Sequence, residues 1–221
     1  MHSFPRFPLT HPLYHVGTLN PRDKTTYSFE GDGLSVSPDP EAWRQIARLT
    51  GITFAATKRR PRFLDWHRLT PEHQATIHTW GLNAGWVSLQ TLYRVEHEDD
   101  EFEETLYEIH EDREEAWSAA LQYANDDPAD ASALLTEYRG IVGTAALRAR
   151  LNHQIPTILV PTLLTTAFVE DELRWDGVYW DDIHDPERYS APRAVINRTQ
   201  LPSWQLIPVP YTSSKSEEEV L

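Results

Sequence analysis

The chain has 221 residues, of which 40% are hydrophobic, so it can bury a substantial core and one domain is the default expectation. It contains no cysteine, which excludes disulfides, thiolate nucleophiles and cysteine-ligated zinc or iron–sulfur clusters. Its net charge of −14 disfavours nonspecific nucleic-acid binding, because such a surface repels phosphates. With no apolar leader at the N-terminus and no apolar run of membrane-spanning length, we expect a cytoplasmic protein without membrane association.

Short strands and turns are predicted for the first third of the chain. The segments 13–16 and 34–37 are short and mix apolar with polar residues, as half-buried strands do. Gly31 and Gly33 indicate a turn before the second of these strands. Pro40 and Glu41 then favour a helix start, with Ser37 or Asp39 as the cap. We expect this helix to end at Gly51 and further strands to follow over 53–57 and 62–66.

The middle of the chain is predicted to be helical. Thr70 and Pro71 mark the start of a helix that reaches about residue 80, and residues 87–95 follow as a strand. A long acidic helix is expected over 99–124 and a second helix over 129–150. These two helices form an insertion of about 99–152 within one α+β domain over 1–211.

The last part of the chain is predicted to return to strands. Residues 155–168 are compatible with either a strand or a buried loop, whereas 177–180 and 193–196 have the apolar character of late strands. The segment 212–221 is acidic, and we expect it to be disordered.

Negative charge is concentrated between Glu96 and Glu115, a segment that contains 12 acidic residues and one basic residue, Arg113. Such a surface suits either a basic protein partner or simple solubility.

Two segments near the N-terminus resemble a known family. Leu-Tyr-His-Val-Gly-Thr at 13–18 is followed by Gly-Asp-Gly-Leu-Ser-Val-Ser-Pro-Asp-Pro-Glu-Ala-Trp at 31–43. This layout resembles the NAD-binding core of the ADP-ribosyltransferase superfamily, in which a His-Gly-Thr strand precedes a Gly-x-Gly-Leu-x-x-Ser segment and a helix. The resemblance implies a mixed or antiparallel β core of that type, with NAD as the substrate. Val16 separates His15 from Gly17, whereas the family's His and Gly are adjacent.

The resemblance also implies roles for individual residues. His15 would bond a ribose hydroxyl, and the backbone of Gly17 or Val16 would hold the nicotinamide amide. Ser35 stands where the family often has a stacking Tyr, a position that Tyr27 or Trp43 would have to fill. The NAD-binding residues expected on this basis are His15, Gly17, Thr18, Tyr27, Ser37, Trp43 and Arg193. Arg193 would contact the pyrophosphate or pair with nearby acids.

The family's catalytic carboxylate precedes a late strand, but residues 190–193 contain no acid. A carboxylate is needed because the reaction develops positive charge on the ribose. Among the neighbouring acids, Glu172 and Asp182 are our candidates. Asp65 is not expected to orient His67, because side chains alternate between faces along a strand. The histidines have no recognised metal-ligand spacing, and no metal site is expected.

Two functions remain open at this point. One is an NAD-dependent ADP-ribosyltransferase, a bacterial toxin or effector that modifies a macromolecule. The alternative is a non-catalytic acidic protein (an antitoxin, immunity or anti-defence factor) that binds a basic protein through the segment between Glu96 and Glu115.

Overall fold

The computed structural model describes residues 3–19, 31, 33–99, 104–151, 156–185 and 190–210. The strands are β1 Arg6–Phe7, β2 Leu13–Val16, β3 Leu34–Val36, β4 Thr53–Thr57, β5 Phe63–Asp65, β6 Val87–Asp99, β7 Glu104–His110, β8 Leu135–Gly143, β9 Gly177–Trp180, β10 Arg193–Ile196 and β11 Gln205–Val209. The helices are α1 Pro40–Ala47, α2 Pro71–Asn83, α3 Arg113–Tyr123, α4 Pro128–Leu134, α5 Ala145–Leu151 and α6 Val160–Phe168. Helices and antiparallel sheets together make the protein α+β.

The chain divides into two compact units. The first unit comprises residues 1–74 and 166–221, and the second comprises residues 75–165. The expected disordered tail at 212–221 lies outside the described residues.

The first unit contains two sheets. A five-stranded sheet has the order β1-β5-β9-β10-β3, in which only the β5–β9 pair is parallel, and a three-stranded antiparallel sheet has the order β11-β4-β2. Leu13 of β2 and Phe63 of β5 belong to one buried apolar cluster, so the two sheets share a core. Backbone hydrogen bonds between Tyr14 and Ser37, at 2.8 and 2.9 Å, tie β2 to the end of β3.

Helix α1 begins as the sequence predicts. The Asp39 carboxylate accepts the backbone N–H groups of Glu41 and Ala42 at 3.0 Å, and Pro40 occupies the first turn, where its missing N–H costs nothing. The helix ends before Gly51, because Arg48 adopts the left-handed conformation at φ 50°.

The second unit corrects the prediction of two long helices. Residues 104–110 and 135–143 are strands that flank β6 in a sheet of order β7-β6-β8, so helices account for only part of 99–152. Leu106 and Ile109 satisfy a helical spacing, but pairing of the whole segment with β6 outweighs that local preference. Gly140 lies in β8, where a Cβ would collide with the Leu92 side chain. The absence of a side chain at Gly140 therefore lets Leu92 pack closely against β8.

Residues 157–168 are helical, so neither a strand nor a loop describes them. A 3-10 turn at Thr157–Leu159 leads into α6, which places Pro161 in the first turn. A proline is tolerated there because the first N–H groups of a helix have no intrahelical acceptor. Leu163, Leu164 and Phe168 are buried.

Candidate functional site

Four strands of the first unit bring chemically useful residues to one edge of the five-stranded sheet. Asp65 pairs with Tyr179, Trp180 with Arg193, and Ala194 with Val36. The carboxyl ends of β5, β9 and β3 and the amino end of β10 therefore lie side by side. The residues that immediately follow or begin these strands are neighbours, although they are distant in the sequence.

His67, Asp182 and Arg193 form a hydrogen-bonded cluster at this edge. His67 follows β5, and its Nε2 lies 2.8 Å from Oδ1 of Asp182, which follows β9. The other carboxylate oxygen, Oδ2, forms an ion pair with Nη1 of Arg193 at the start of β10. The Asp182 side chain is 19% exposed, whereas that of His67 is 48% exposed. The carboxylate is thus held between two donors, and the imidazole reaches solvent.

Two tryptophans flank the cluster. The Arg193 guanidinium lies 5.5 Å from the centroid of the Trp180 ring, a cation–π distance. Trp180 in turn contacts Trp66 with ring centroids 5.8 Å apart. Trp180 is buried and Trp66 is only half-buried, so the edge presents an aromatic ring beside charged groups.

His15 is held by the protein's own backbone. Its Nδ1 lies 2.8 Å from the carbonyl oxygen of Ser35, and its Nε2 lies 2.8 Å from that of Thr18. Both ring nitrogens are therefore engaged, and the ring is 9% exposed. Gly17, between them, adopts φ +112° and donates its N–H to Ile52 at 2.9 Å. This left-handed turn favours glycine and brings the chain back to His15.

Ser37 is linked to the cluster by a hydrogen bond to the backbone of Pro192, the residue before Arg193. It is fully buried, and its hydroxyl donates to the carbonyl oxygen of Pro192 at 2.6 Å. Its Oγ also accepts the N–H of Asp39 at 3.1 Å. Since Pro192 precedes Arg193, this bond helps to fix the start of β10.

The other expected site residues lie apart from the cluster. Trp43 packs in an apolar core with Val16 and Ala191. Glu172 is exposed on a π-helical turn, Val169–Leu173. Tyr27 lies outside the described residues. Of the predicted residues, the structure brings Asp182 into direct contact with Arg193, and His15 into contact with Thr18.

His67 is the residue whose partner sequence reasoning missed. Among the described residues, no hydrogen bond joins His67 to Asp65; the orienting acid is Asp182, 115 positions away. A signal existed, because His67 follows one strand and the Asp181–Asp182 pair follows another. Only the parallel pairing of β5 with β9 makes the two strand ends adjacent.

A second carboxylate, Asp176, is closed off from solvent. It is 2% exposed and accepts hydrogen bonds from Lys58 Nζ at 2.6 Å, from the Arg62 N–H at 2.8 Å and from Trp204 Nε1 at 3.0 Å. Every side of this carboxylate is used within the protein. Its role is structural, since it ties the segment after β4 to the strand β9.

Comparisons with known proteins add no relative: no family model, no curated protein and no solved structure matches the chain. Within the described residues, no helix has both the length and the apolar character needed to cross a bilayer. In the same part of the chain, no three His, Asp or Glu side chains are grouped as metal ligands would be.

Proposed function

We propose that the first unit is an NAD-consuming, ADP-ribosyltransferase-like domain whose reaction centre is the sheet edge at Asp182. The observation that carries the proposal is the contact between Asp182, a candidate chosen among the neighbouring acids, and Arg193, the candidate pyrophosphate contact, beside a half-buried Trp66. A carboxylate for the positive charge that develops on the ribose, a guanidinium for the pyrophosphate and an aromatic ring for the nicotinamide are groups suited to the cleavage of NAD.

The reaction breaks the bond between nicotinamide and ribose. As this bond lengthens, positive charge develops on the ribose, and a nearby carboxylate lowers the energy of that state. Asp182 is the candidate for this role, because it lies at this edge of the sheet and is partly exposed. Arg193 is suited to phosphate oxygens, and Trp66 offers a face for the nicotinamide ring.

His15 does not fit the ribose-binding role in its present arrangement. Both ring nitrogens contact backbone carbonyl groups, so a ribose hydroxyl would have to displace one of them. We therefore assign His15 to the support of the β2–β3 junction and the reaction to the Asp182 cluster.

A matched pair of carboxylate variants tests the proposal. The protein is incubated with NAD, and nicotinamide release and the NAD-induced rise in melting temperature are measured. We expect Asp182→Asn to lose nicotinamide release, whereas Glu172→Gln, at the exposed alternative, retains it. If the wild-type protein neither releases nicotinamide nor responds thermally to NAD, the proposal is wrong. If only Glu172→Gln loses nicotinamide release, the catalytic acid is Glu172 and not Asp182.

The second candidate function is binding of a basic protein through the acidic segment between Glu96 and Glu115. The observation in its favour is that residues 111–115 are all exposed, so the charged start of α3 faces solvent. Part of the acidic segment, residues 100–103, lies outside the described residues. The acids at the start of α3 also have an explanation that needs no partner, because negative charges at a helix N-terminus complement the helix dipole.

Charge reversal at α3 tests this candidate. Glu114→Lys with Glu115→Lys should abolish capture of a basic partner without unfolding the protein, because both side chains are exposed. The control reverses Asp130 and Glu137 instead, which are exposed outside the acidic segment. If both double variants lose partner binding equally, the effect depends on the overall net charge and not on the start of α3.

A further inference from the structure

We propose that His67 is the general base of this site and that the acceptor it activates is a hydroxyl group. The inference rests on the proposed function, and it names both a further catalytic residue and the class of acceptor. The two ring nitrogens of His67 have different surroundings, since Nε2 lies against Asp182.

The Asp182 hydrogen bond fixes which nitrogen of His67 carries the proton. A carboxylate only accepts, so Nε2, 2.8 Å from Oδ1, must donate. In the neutral ring Nδ1 then holds the lone pair. Within the described residues no hydrogen bond to Nδ1 is present, and nearly half of the side chain is exposed. His67 therefore presents a basic nitrogen to whatever occupies the sheet edge.

Arg193 completes the arrangement by holding the carboxylate. It binds Oδ2 and leans over Trp180, so Asp182 is anchored on the side opposite His67. A base oriented by a carboxylate that is itself oriented is a recurrent arrangement for proton abstraction. Other hydrogen-bonded histidines of the described residues differ from His67: His15 has both nitrogens engaged, Nδ1 of His73 bonds Thr70, and His110 bonds Glu108 on its own strand.

The chemistry of the base defines the acceptor. The bond between ribose C1′ and the nicotinamide nitrogen breaks, and its electron pair neutralises the pyridinium. The acceptor oxygen forms a bond to C1′, and its proton passes to Nδ1 of His67. The resulting imidazolium is stabilised by Asp182 and later releases the proton to solvent. A hydroxyl needs such a base, and the acceptor is either water or a hydroxyl of a macromolecule.

His67→Gln with a matched histidine control tests the inference. A glutamine amide can still donate to Asp182, so the fold is retained, while the basic nitrogen is lost. We expect nicotinamide release to fall by about 100-fold or more, the usual contribution of general acid–base catalysis, with the NAD-induced thermal shift unchanged. His184→Gln, in the exposed segment after Asp182, should keep the wild-type rate. Added imidazole should restore part of the activity of His67→Ala.

A second measurement reads the proton directly. The ¹⁵N and ¹H signals of His67 should show Nε2–H with the downfield ¹H shift of a hydrogen bond to a carboxylate, and Asp182→Ala, which removes the acceptor, should abolish that downfield shift. A proton on Nδ1 in the neutral ring would overturn the inference. Free ADP-ribose in the products identifies water as the acceptor, and label mapped to a Ser, Thr, Tyr or ribose hydroxyl identifies a macromolecular hydroxyl; either result supports the inference.

The failures of this inference and of the proposed function are distinguishable. Wild-type-like nicotinamide release from His67→Gln, with Asp182→Asn inactive, overturns the role of His67 and leaves the proposed function standing. A transfer product on an arginine or a carboxylate also overturns it. No response of the wild-type protein to NAD overturns both.

Discussion

Nε2 of His67 lies 2.8 Å from Oδ1 of Asp182, although the two residues are 115 positions apart in the chain. The contact exists because β5 and β9 are parallel neighbours, so both strands end at the same edge of the sheet. One imidazole, one carboxylate and one guanidinium are thereby collected from three separate segments.

Arg193→Gln should impair activity much more than stability. The side chains of Arg193 and Asp182 are 22% and 19% exposed, and a glutamine amide can still donate to Asp182, so loss of the ion pair should lower the free energy of unfolding by no more than about 1–2 kcal/mol. Without the guanidinium, however, the carboxylate loses its anchor on one side. We expect nicotinamide release to fall at least about tenfold, in line with the loss of an oriented catalytic group. Urea unfolding and nicotinamide release, measured on the same preparation, check the prediction. A large loss of stability with activity unchanged would contradict it.

Asp176→Ala should destabilise the first unit strongly. The substitution removes the counter-ion of Lys58, which keeps only the neutral acceptors Ser203 and Gln200. It also leaves the buried indole N–H of Trp204 without its acceptor. Removing one partner of a buried ion pair costs about 3–5 kcal/mol. Glu172→Ala, at an exposed position on the turn before β9, is the control and should change the free energy of unfolding by less than about 0.5 kcal/mol. Equal urea midpoints for the two variants would show that Asp176 is not a structural anchor.

Gly177→Ala should prevent close pairing of β9 with β10. A Cβ on Gly177 would coincide with the carbonyl oxygen of Val195, and the backbone of a neighbouring strand cannot move aside as a side chain can. We expect a loss of about 3 kcal/mol or more, at the upper end of overpacking costs. Gly143→Ala is the matched strand control, because its nearest neighbour is the Leu147 side chain at an ordinary 3.4 Å. The prediction is wrong if thermal unfolding does not distinguish the two variants.

Tyr179 should make the protein less stable at alkaline pH. Burial, together with the negative charge of Asp181, raises the pKa of Tyr179 to about 12. An unfolded tyrosine titrates at about pH 10, so between these values the unfolded chain loses the proton while the folded chain keeps it. The free energy of unfolding therefore falls as pH rises through this window, by about 1 kcal/mol at pH 11.

Tyr179→Phe isolates this contribution. Urea unfolding between pH 9 and pH 11, on the order of one unit either side of the ordinary tyrosine pKa, should show a shallower fall than in the wild-type protein. Some fall remains, since a hydrogen bond to Glu108 raises the pKa of Tyr123 and burial raises that of Tyr138. Parallel pH profiles for the two proteins would exclude Tyr179 as the source.

The sequence by itself determined the elements that depend on nearby residues. Asp39 and Pro40 start α1, and the apolar runs at Leu13–Val16, Gly177–Trp180 and Arg193–Ile196 are strands as predicted, because capping and apolar patterning act within a few residues.

Tertiary structure decided what those elements do together. Residues 104–110 and 135–143 are strands because β6 lies between them, a pairing that no local pattern contains. The sequence offered Glu172 and Asp182 equally, and only the sheet order placed Asp182 against His67 and Arg193 while leaving Glu172 exposed on a turn. Spacing along a chain determines which residues share a helix or strand, but strand order determines which distant side chains become neighbours.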